Sequence, residues 1–230
     1  MLARTASKAV SAVPTFHQSK AAAGHPGTHA GSGTIEAMGA MMPFARNCEI
    51  YGEGEPADYL YKVVSGAVRT SKVLADGRRQ IGGFYMPGDL FGLEAGDEHA
   101  FSAEAISEAK VLVIKRSAVL AVAARDKTVA QELWSATARE LARVQLHVLL
   151  LIKSAQERLA GFLLDMAARN KASQLVELPM SRQDIADYLG LTIETVSRTF
   201  TQFENSTLIA APTARRIEIR NRAALTRLNS

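Results

Sequence analysis

The chain has 230 residues, 47% hydrophobic and 22% charged, with a formal net charge of +4 and a pI near 9.3. That is enough apolar material for one large or two small packed domains, and the mild basic excess permits nucleic acid or an acidic surface as partner without requiring either. The single cysteine, Cys48, excludes an internal disulfide, a cysteine zinc site and an iron–sulfur cluster; with no signal peptide or long apolar span, the sequence points to the cytoplasm and to no membrane partner.

Residues 1–33 are rich in Ala, Ser, Gly, Thr and His and lack a sustained apolar period, so they read as a mobile arm. The histidines there, His17, His25 and His29, are irregularly spaced and have no acidic partner, which argues for solvation and against a metal site.

From Thr34 the pattern becomes short and alternating. Apolar runs such as LYKVV and AVRTSKVL are broken by Ser65-Gly66, Asp76-Gly77 and Pro87-Gly88-Asp89, and Asp76-Gly77 is the strongest hairpin signal. Successive short strands with regular turns predict a rolled all-β domain over 34–128, with Lys110 to Lys115 as its closing strand.

The chain then turns helical. ELWSATARELARVQLHVLLLIKSAQ has no Gly or Pro, and Trp134, Thr137, Leu141, Val144, Val148, Leu151 and Ala155 recur at steps of three and four. The spacing predicts a long helix within 129–165 that packs on its own β domain. Because Leu146, Leu149, Leu150 and Ile152 make it apolar on more than one side, it also predicts a homodimer seam with Trp134, Leu141, Val144, Val148 and Leu151 at the interface.

Residues 166–230 are expected to form a further domain. From Leu151 onward there are 11 Lys/Arg against 8 Asp/Glu, so this segment holds most of the basic excess. MSRQDIADYLGLTIETVSRTFTQF opens with Ser181 and has Asp184 three residues on, a capping-box arrangement. Ile185, Ala186 and Leu189 face inward, Gly190 makes a turn, Thr192 caps a second helix and Val196 plugs between the two, as a helix-turn-helix requires. LIAAPTARRIEIR then supplies a turn and a half-buried strand from Arg216 to Arg220, so the whole reads as a winged helix.

Offsets of three and four residues place Glu194, Ser197 and Arg198 on one face of the second helix. Arg198 can donate two hydrogen bonds to guanine O6 and N7, Glu194 can accept from the amine of cytosine or adenine, and Ser197 can lie against thymine. On an isolated helix the Glu194–Arg198 spacing would mean no more than an intrahelical ion pair. Thr192, Arg215 and Arg216 are expected on the phosphate backbone, giving affinity without sequence choice.

At these residues the chain resembles the CRP/FNR superfamily of bacterial transcription regulators. The resemblance covers Thr34 to the C-terminus and rests on GEGEPADYLYKVVSGAVR, PGDLFGLEAG and LGLTIETVSR; ADGRRQIGGFYMPGDLFGLEAGDEHAFSAEA is similar to the FixK branch. It implies an α+β fold with an N-terminal jelly-roll like that of cyclic-nucleotide-binding domains, a long dimerisation helix and a C-terminal winged helix-turn-helix. It further implies an inverted TTGA…TCAA target read by Glu194, Ser197 and Arg198, activation through RNA polymerase, and genes of microaerobic respiration or nitrogen fixation.

The departures from that family are informative. Members that bind cyclic AMP hold its phosphate with Gly-Glu-Leu followed by Arg-Ser or Arg-Thr, whereas here Gly92-Leu93-Glu94 is followed by His99-Ala100-Phe101. Without the guanidinium an anion has no counter-charge, so no cyclic nucleotide and no other cofactor is expected. For haem, Cys48, His99 or His147 could supply an axial ligand, although plain packing accounts for each. At Ser181, a hydroxyl cannot undergo the oxidation that would turn a thiol into a DNA-repelling anion. No nucleophile–base pair, paired carboxylates or phosphate-binding glycine loop marks an enzyme. The remaining alternative is a signalling module whose β domain binds a small effector that gates binding to DNA or protein.

Overall fold

The computed structural model describes residues 34–169 and 175–229; the expected arm over 1–33, with its three histidines, lies outside the described residues. After a 3-10 turn at Ile35–Met38, eight strands follow: β1 (Gly39–Phe44), β2 (Glu49–Tyr51), β3 (Tyr59–Ser65), β4 (Val68–Val73), β5 (Arg79–Tyr85), β6 (Leu90–Phe91), β7 (Ser102–Ala105) and β8 (Ala109–Lys115). They form two four-stranded antiparallel sheets, ordered β1-β8-β3-β6 and β2-β7-β4-β5. Alternation buries one face of each sheet, and Tyr61, Val63, Val68, Tyr85, Phe91 and Val111 fill the space between them.

Turn chemistry sets the registers. In the β4–β5 hairpin Gly77 has φ +82°, its amide donates to the Leu74 carbonyl at 2.9 Å, and the Asp76 carboxylate accepts from the Arg78 amide at 3.0 Å. At Gly66, φ is +79° and a Cβ would stand 2.1 Å from the Glu108 carbonyl oxygen, so no other residue fits.

Helices α1 (Arg116–Ala123) and α2 (Lys127–Leu151) close the roll. The Asp126 side chain accepts from the Thr128 amide to start α2. Val119, Val129 and Ala136 then pack with Ile35, Leu60, Leu112 and Ile114 on the outer side of the β1-β8 sheet.

The long helix ends sooner than its apolar spacing predicts. It stops at Leu151, and α3 (Ala155–Arg169) begins after a short break, so Ala155 does not continue the seam. The cause is local: the Ser154 amide donates to Glu157 Oε2 at 2.8 Å and the Glu157 amide to Ser154 Oγ at 3.4 Å, a capping box that starts a new helix.

That break also moves the domain boundary. An edge at 165/166 would cut through α3, yet Leu159, Phe162, Leu163 and Met166 of α3 lie in one core with the helices and strands that follow. These are β9 (Leu175–Glu177), α4 (Arg182–Leu189), α5 (Ile193–Asn205), β10 (Ile209–Thr213), β11 (Arg216–Ile219) and α6 (Arg222–Leu228). The wing is a three-stranded antiparallel sheet, β10-β11-β9, one strand more than the expected hairpin. Among the described residues no helix is long and apolar enough to cross a membrane.

Candidate nucleic-acid interface

The two helices of the C-terminal motif are fixed at their ends by side chains. Ser181 Oγ accepts from the Asp184 amide at 3.0 Å while Asp184 Oδ2 accepts from the Ser181 amide at 2.9 Å, a complete capping box on α4. Gly190 ends α4 in the left-handed region, with φ +62°, and Arg158 of α3 donates to the Leu189 carbonyl at 2.8 Å. Thr192 Oγ1 accepts from the Thr195 amide at 3.2 Å and starts α5. Ile185, Ala186 and Leu189 of α4 and Val196, Phe200 and Phe203 of α5 are buried together, so α5 presents its other face outward.

That outward face carries Glu194, Ser197 and Arg198, all exposed. No ion pair joins Glu194 to Arg198, and the Arg198 guanidinium has no ion-pair or hydrogen-bond partner among the described residues. The intrahelical pair that would have given these residues a purely structural role is therefore not formed. The Glu194 backbone amide, and then the Thr192 hydroxyl, hold the Glu194 carboxyl below its ordinary value, with a lesser contribution from Arg198. It is ionised at neutral pH and acts only as an acceptor. The arrangement offers a fork of donors and an acceptor on one helical face.

Around this face the residues expected on the phosphate backbone fall into two kinds. Thr192 is exposed at the N-terminus of α5, and Arg215 is exposed at the wing turn with no side-chain partner among the described residues. Arg216 is already engaged: its Nη2 lies 3.2 Å from Glu177 Oε1 on β9, a strand the sequence reading did not anticipate. Arg182, not singled out from sequence, stacks its guanidinium 3.2 Å over the centre of the Phe200 ring. Burial pushes its pKa down to about 10, with Glu204 opposing, so it remains a cation at neutral pH. The spacing of Arg182 and Phe200, on two helices, gave no sign of this contact.

The proposed dimer face lies on α2. Trp134, Leu141, Val144 and Val148 are exposed, Trp134 by 76% and Leu141 by 58%, while Leu151 is half-buried; Val144 and Leu151 also line the cavity between α2 and the β-roll. The opposite side of α2 is held to the roll, where Tyr85 donates to Glu140 Oε1 at 2.9 Å and Arg143 lies over the Tyr85 ring.

Between the β-roll and α2 is a cavity of about 540 Å³, lined by Tyr51, Ile81, Phe91, Glu94, Phe101 and Glu140 among others. Its charged groups are carboxylates and no guanidinium or ammonium lines it, which is the wrong chemistry for a phosphate. His99 is buried beside it and stacks on Tyr51 with ring centres 3.6 Å apart. Its Nδ1 is 3.1 Å from Glu94 Oε1 but lacks hydrogen-bond geometry, so we regard the pair as close packing more than a formed ion pair. His147 instead stacks on Tyr188 at 3.9 Å and places Nε2 2.7 Å from the Tyr188 carbonyl, and Cys48 is exposed.

Residues 41–126 match the family of cyclic nucleotide-binding domains and residues 157–228 the Crp-like helix-turn-helix domain, the latter beginning inside α3, where the C-terminal core begins. The chain is 51% identical over 202 residues to the nitrogen fixation regulation protein FixK of Azorhizobium caulinodans, covering 85% of this chain and 82% of that one. It is 43% identical over 165 residues to the transcriptional activatory protein AadR of Rhodopseudomonas palustris, 70% and 69% of the two chains. Among solved structures, FixK2 from Bradyrhizobium japonicum superposes with a TM-score of 0.80 at 49% identity, over 84% of this chain and 98% of that one. A β-roll, a helix-turn-helix with an unpaired guanidinium on its exposed face, and this likeness along most of the chain have one meaning: the protein belongs to the CRP/FNR family of DNA-binding transcription regulators, in its FixK branch.

Proposed function

We propose that the protein is a homodimeric, cytoplasmic transcription activator that reads a TTGA…TCAA inverted repeat in the major groove without cyclic AMP and acts through RNA polymerase. The observation that carries this reading is the unpaired Arg198 guanidinium on the exposed face of α5, with ionised Glu194 one turn before it. Arg198 takes the guanine of each half-site, Glu194 the amine of its neighbour, and Ser197 the thymine side, while Thr192, Arg215 and Arg216 hold phosphates. Two copies joined along Trp134, Leu141, Val144 and Val148, with Leu151 at the end of the seam, present the pair of readers that a palindrome demands. Independence from cyclic nucleotide is supported by the carboxylate-lined cavity of the roll. The names of the FixK relatives support genes of nitrogen fixation as targets, and that of the activatory protein AadR supports activation as the outcome.

Fluorescence anisotropy with a duplex carrying the repeat tests this. Binding without added ligand is expected, with affinity falling steeply as salt rises. Exchange of the G·C pair in each half-site should weaken it by about 5- to 150-fold per half-site, the equivalent of about 1–3 kcal/mol. Unchanged affinity after that exchange, or a strict need for cyclic AMP, sinks the reading.

A further inference from the structure

The helix-turn-helix is not hung from α3 alone; it is also attached to the β-roll of its own chain, by two kinds of contact. The first is apolar. Ala67, Ile81, Phe84 and Ile106 of the roll share a core with Phe162 and Tyr188, and the Phe84 and Tyr188 rings lie 5.3 Å apart. Apolar burial is non-directional, so such a seam holds two bodies together while leaving their relative rotation weakly determined.

The second contact is directional. Arg69 of β4 donates through Nη1 to Asp184 Oδ1 at 2.7 Å and through Nη2 to Glu104 Oε2 at 2.8 Å. Arg79 of β5 donates through Nη2 to the same Asp184 Oδ1 at 2.7 Å and through Nε to Asp187 Oδ2 at 2.7 Å. Asp184 is 3% exposed, and its other oxygen accepts from the Ser181 amide and hydroxyl at 2.9 and 2.8 Å. The carboxylate that caps α4 is thus also the one clamped by the roll. Helix α4 cannot tilt on the roll without breaking both sets of bonds, and α5 follows α4 after a single turn at Gly190.

We propose that Arg69 and Arg79 are positioning residues for DNA reading: by clamping Asp184 and Asp187 they fix the angle of the helix-turn-helix on its own β-roll, and hence the separation and pitch of the two reading helices in the dimer. The inference rests on the dimeric, palindrome-reading function proposed above. Guanidinium–carboxylate bonds have the planar fork geometry that sets orientation, which the apolar seam lacks. Orientation matters here because two half-sites one helical turn apart, about 34–36 Å, are met only by readers held at matching spacing.

The test pairs Arg79→Gln with duplexes whose spacer is native, lengthened by one base pair or shortened by one. Each such change turns one half-site about the helix axis by roughly 34–36°. The wild-type protein should lose affinity sharply on both altered spacers. Arg79→Gln should bind the native spacer about tenfold more weakly, as when the competent arrangement falls to a tenth of the population, and its spacing penalty should shrink to about threefold or less. Its salt dependence should not change, because the Arg79 guanidinium is already taken up by Asp184 and Asp187. The exchanged pair Arg79→Asp with Asp187→Arg should recover native-spacer affinity and the spacing penalty relative to either single change. Amide exchange of the free protein supplies an arm independent of DNA: protection of α4 and β5 should fall in Arg79→Gln and return in the exchanged pair. Wild-type affinity and spacing penalty in Arg79→Gln overturn the proposal, and so does weaker binding that keeps the full penalty and is not recovered by the exchange. Failure of the wild type to bind the repeat overturns the function proposed above, whereas unchanged exchange in α4 overturns the clamp by itself.

Discussion

The stretch from Ser181 to Phe200 shows charge to its surroundings on two faces, and the two are treated in opposite ways. On the outer face Arg198 is left without a partner and Glu194 is ionised and open to solvent. On the inner face Asp184 is buried, with every acceptor position occupied by Arg69, Arg79 and Ser181. The difference shows how one helical hairpin can be held rigidly and still offer a binding surface. The charges that fix the fold are satisfied within the chain, and those proposed to select a partner are withheld from it. An unpaired guanidinium in water costs the folded state almost nothing, whereas an unpaired carboxylate at the position of Asp184 would cost a great deal.

The most forceful way to break this comparison is Asp184→Ala. It removes the half of the α4 capping box that the Asp184 carboxylate supplies to the Ser181 amide, and leaves two guanidiniums facing each other without their shared partner, so a loss of about 3–5 kcal/mol is expected in chemical denaturation. Arg198→Ala should do the reverse. Stability should stay within about 0.5 kcal/mol, as for a surface change that touches nothing, while discrimination at the guanine of the half-site falls by about 1–3 kcal/mol in competition binding. A destabilised Arg198→Ala protein, or an Asp184→Ala protein of full stability, would show that the division between the faces has been drawn wrongly.

A smaller effect sharpens the outer face by separating two neighbouring arginines. Arg215→Ala should weaken binding to every sequence alike and lower the slope of log affinity against log salt by about 0.9, the contribution of one phosphate contact. Arg216 has the exposed Glu177 carboxylate 3.2 Å away, which must be given up or shared when a phosphate arrives. Arg216→Ala should therefore change both affinity and slope less than Arg215→Ala, and Glu177→Gln should narrow the gap. Equal slopes for the two variants would mean that the pair in the wing has no bearing on DNA.

How much of this was legible beforehand follows the same division. The outer face was, because Glu194, Ser197 and Arg198 lie three and four residues apart and one helix brings them together. The capping box at Ser181 and Asp184, the turn at Gly190 and the hairpin at Asp76-Gly77 were legible for the same reason, since each is settled within a few residues. The clamp was not: Arg69 and Asp184 are 115 residues apart, and nothing in either neighbourhood names the other. Strand β9 escaped notice because three residues carry too little pattern to separate from a loop. The end of α2 was a different kind of failure. Ser154 and Glu157 spell a capping box, a local stop that the three-and-four apolar spacing running on to Ala155 does not register.

The mildest prediction concerns the far side of α4, where α2 takes over from the roll. His147 stacks on Tyr188 and its Nε2 donates to the Tyr188 carbonyl at 2.7 Å, so the neutral ring carries its proton on Nε2. Burial lowers the His147 pKa from its ordinary value near 6.5, and the bond to Tyr188, which acts in the opposite sense, does not restore it. Below pH 6.5 the unfolded chain therefore takes up a proton at this position that the folded chain refuses, and the stability present above that pH is progressively lost as pH falls toward the depressed folded value. A series of thermal melts should show this as a decline in midpoint beginning near pH 6.5, additional to any carboxylate effects at lower pH. His147→Gln keeps a donor for the carbonyl but cannot titrate, and should remove that part of the decline while leaving the melts above neutrality close to those of the wild type. Because α4 is pinned through Asp184 by Arg69 and Arg79 of the roll and through Tyr188 by His147 of α2, the decline should be steeper in Arg79→Gln if the two anchors share one cooperative unit, and unchanged if they open independently.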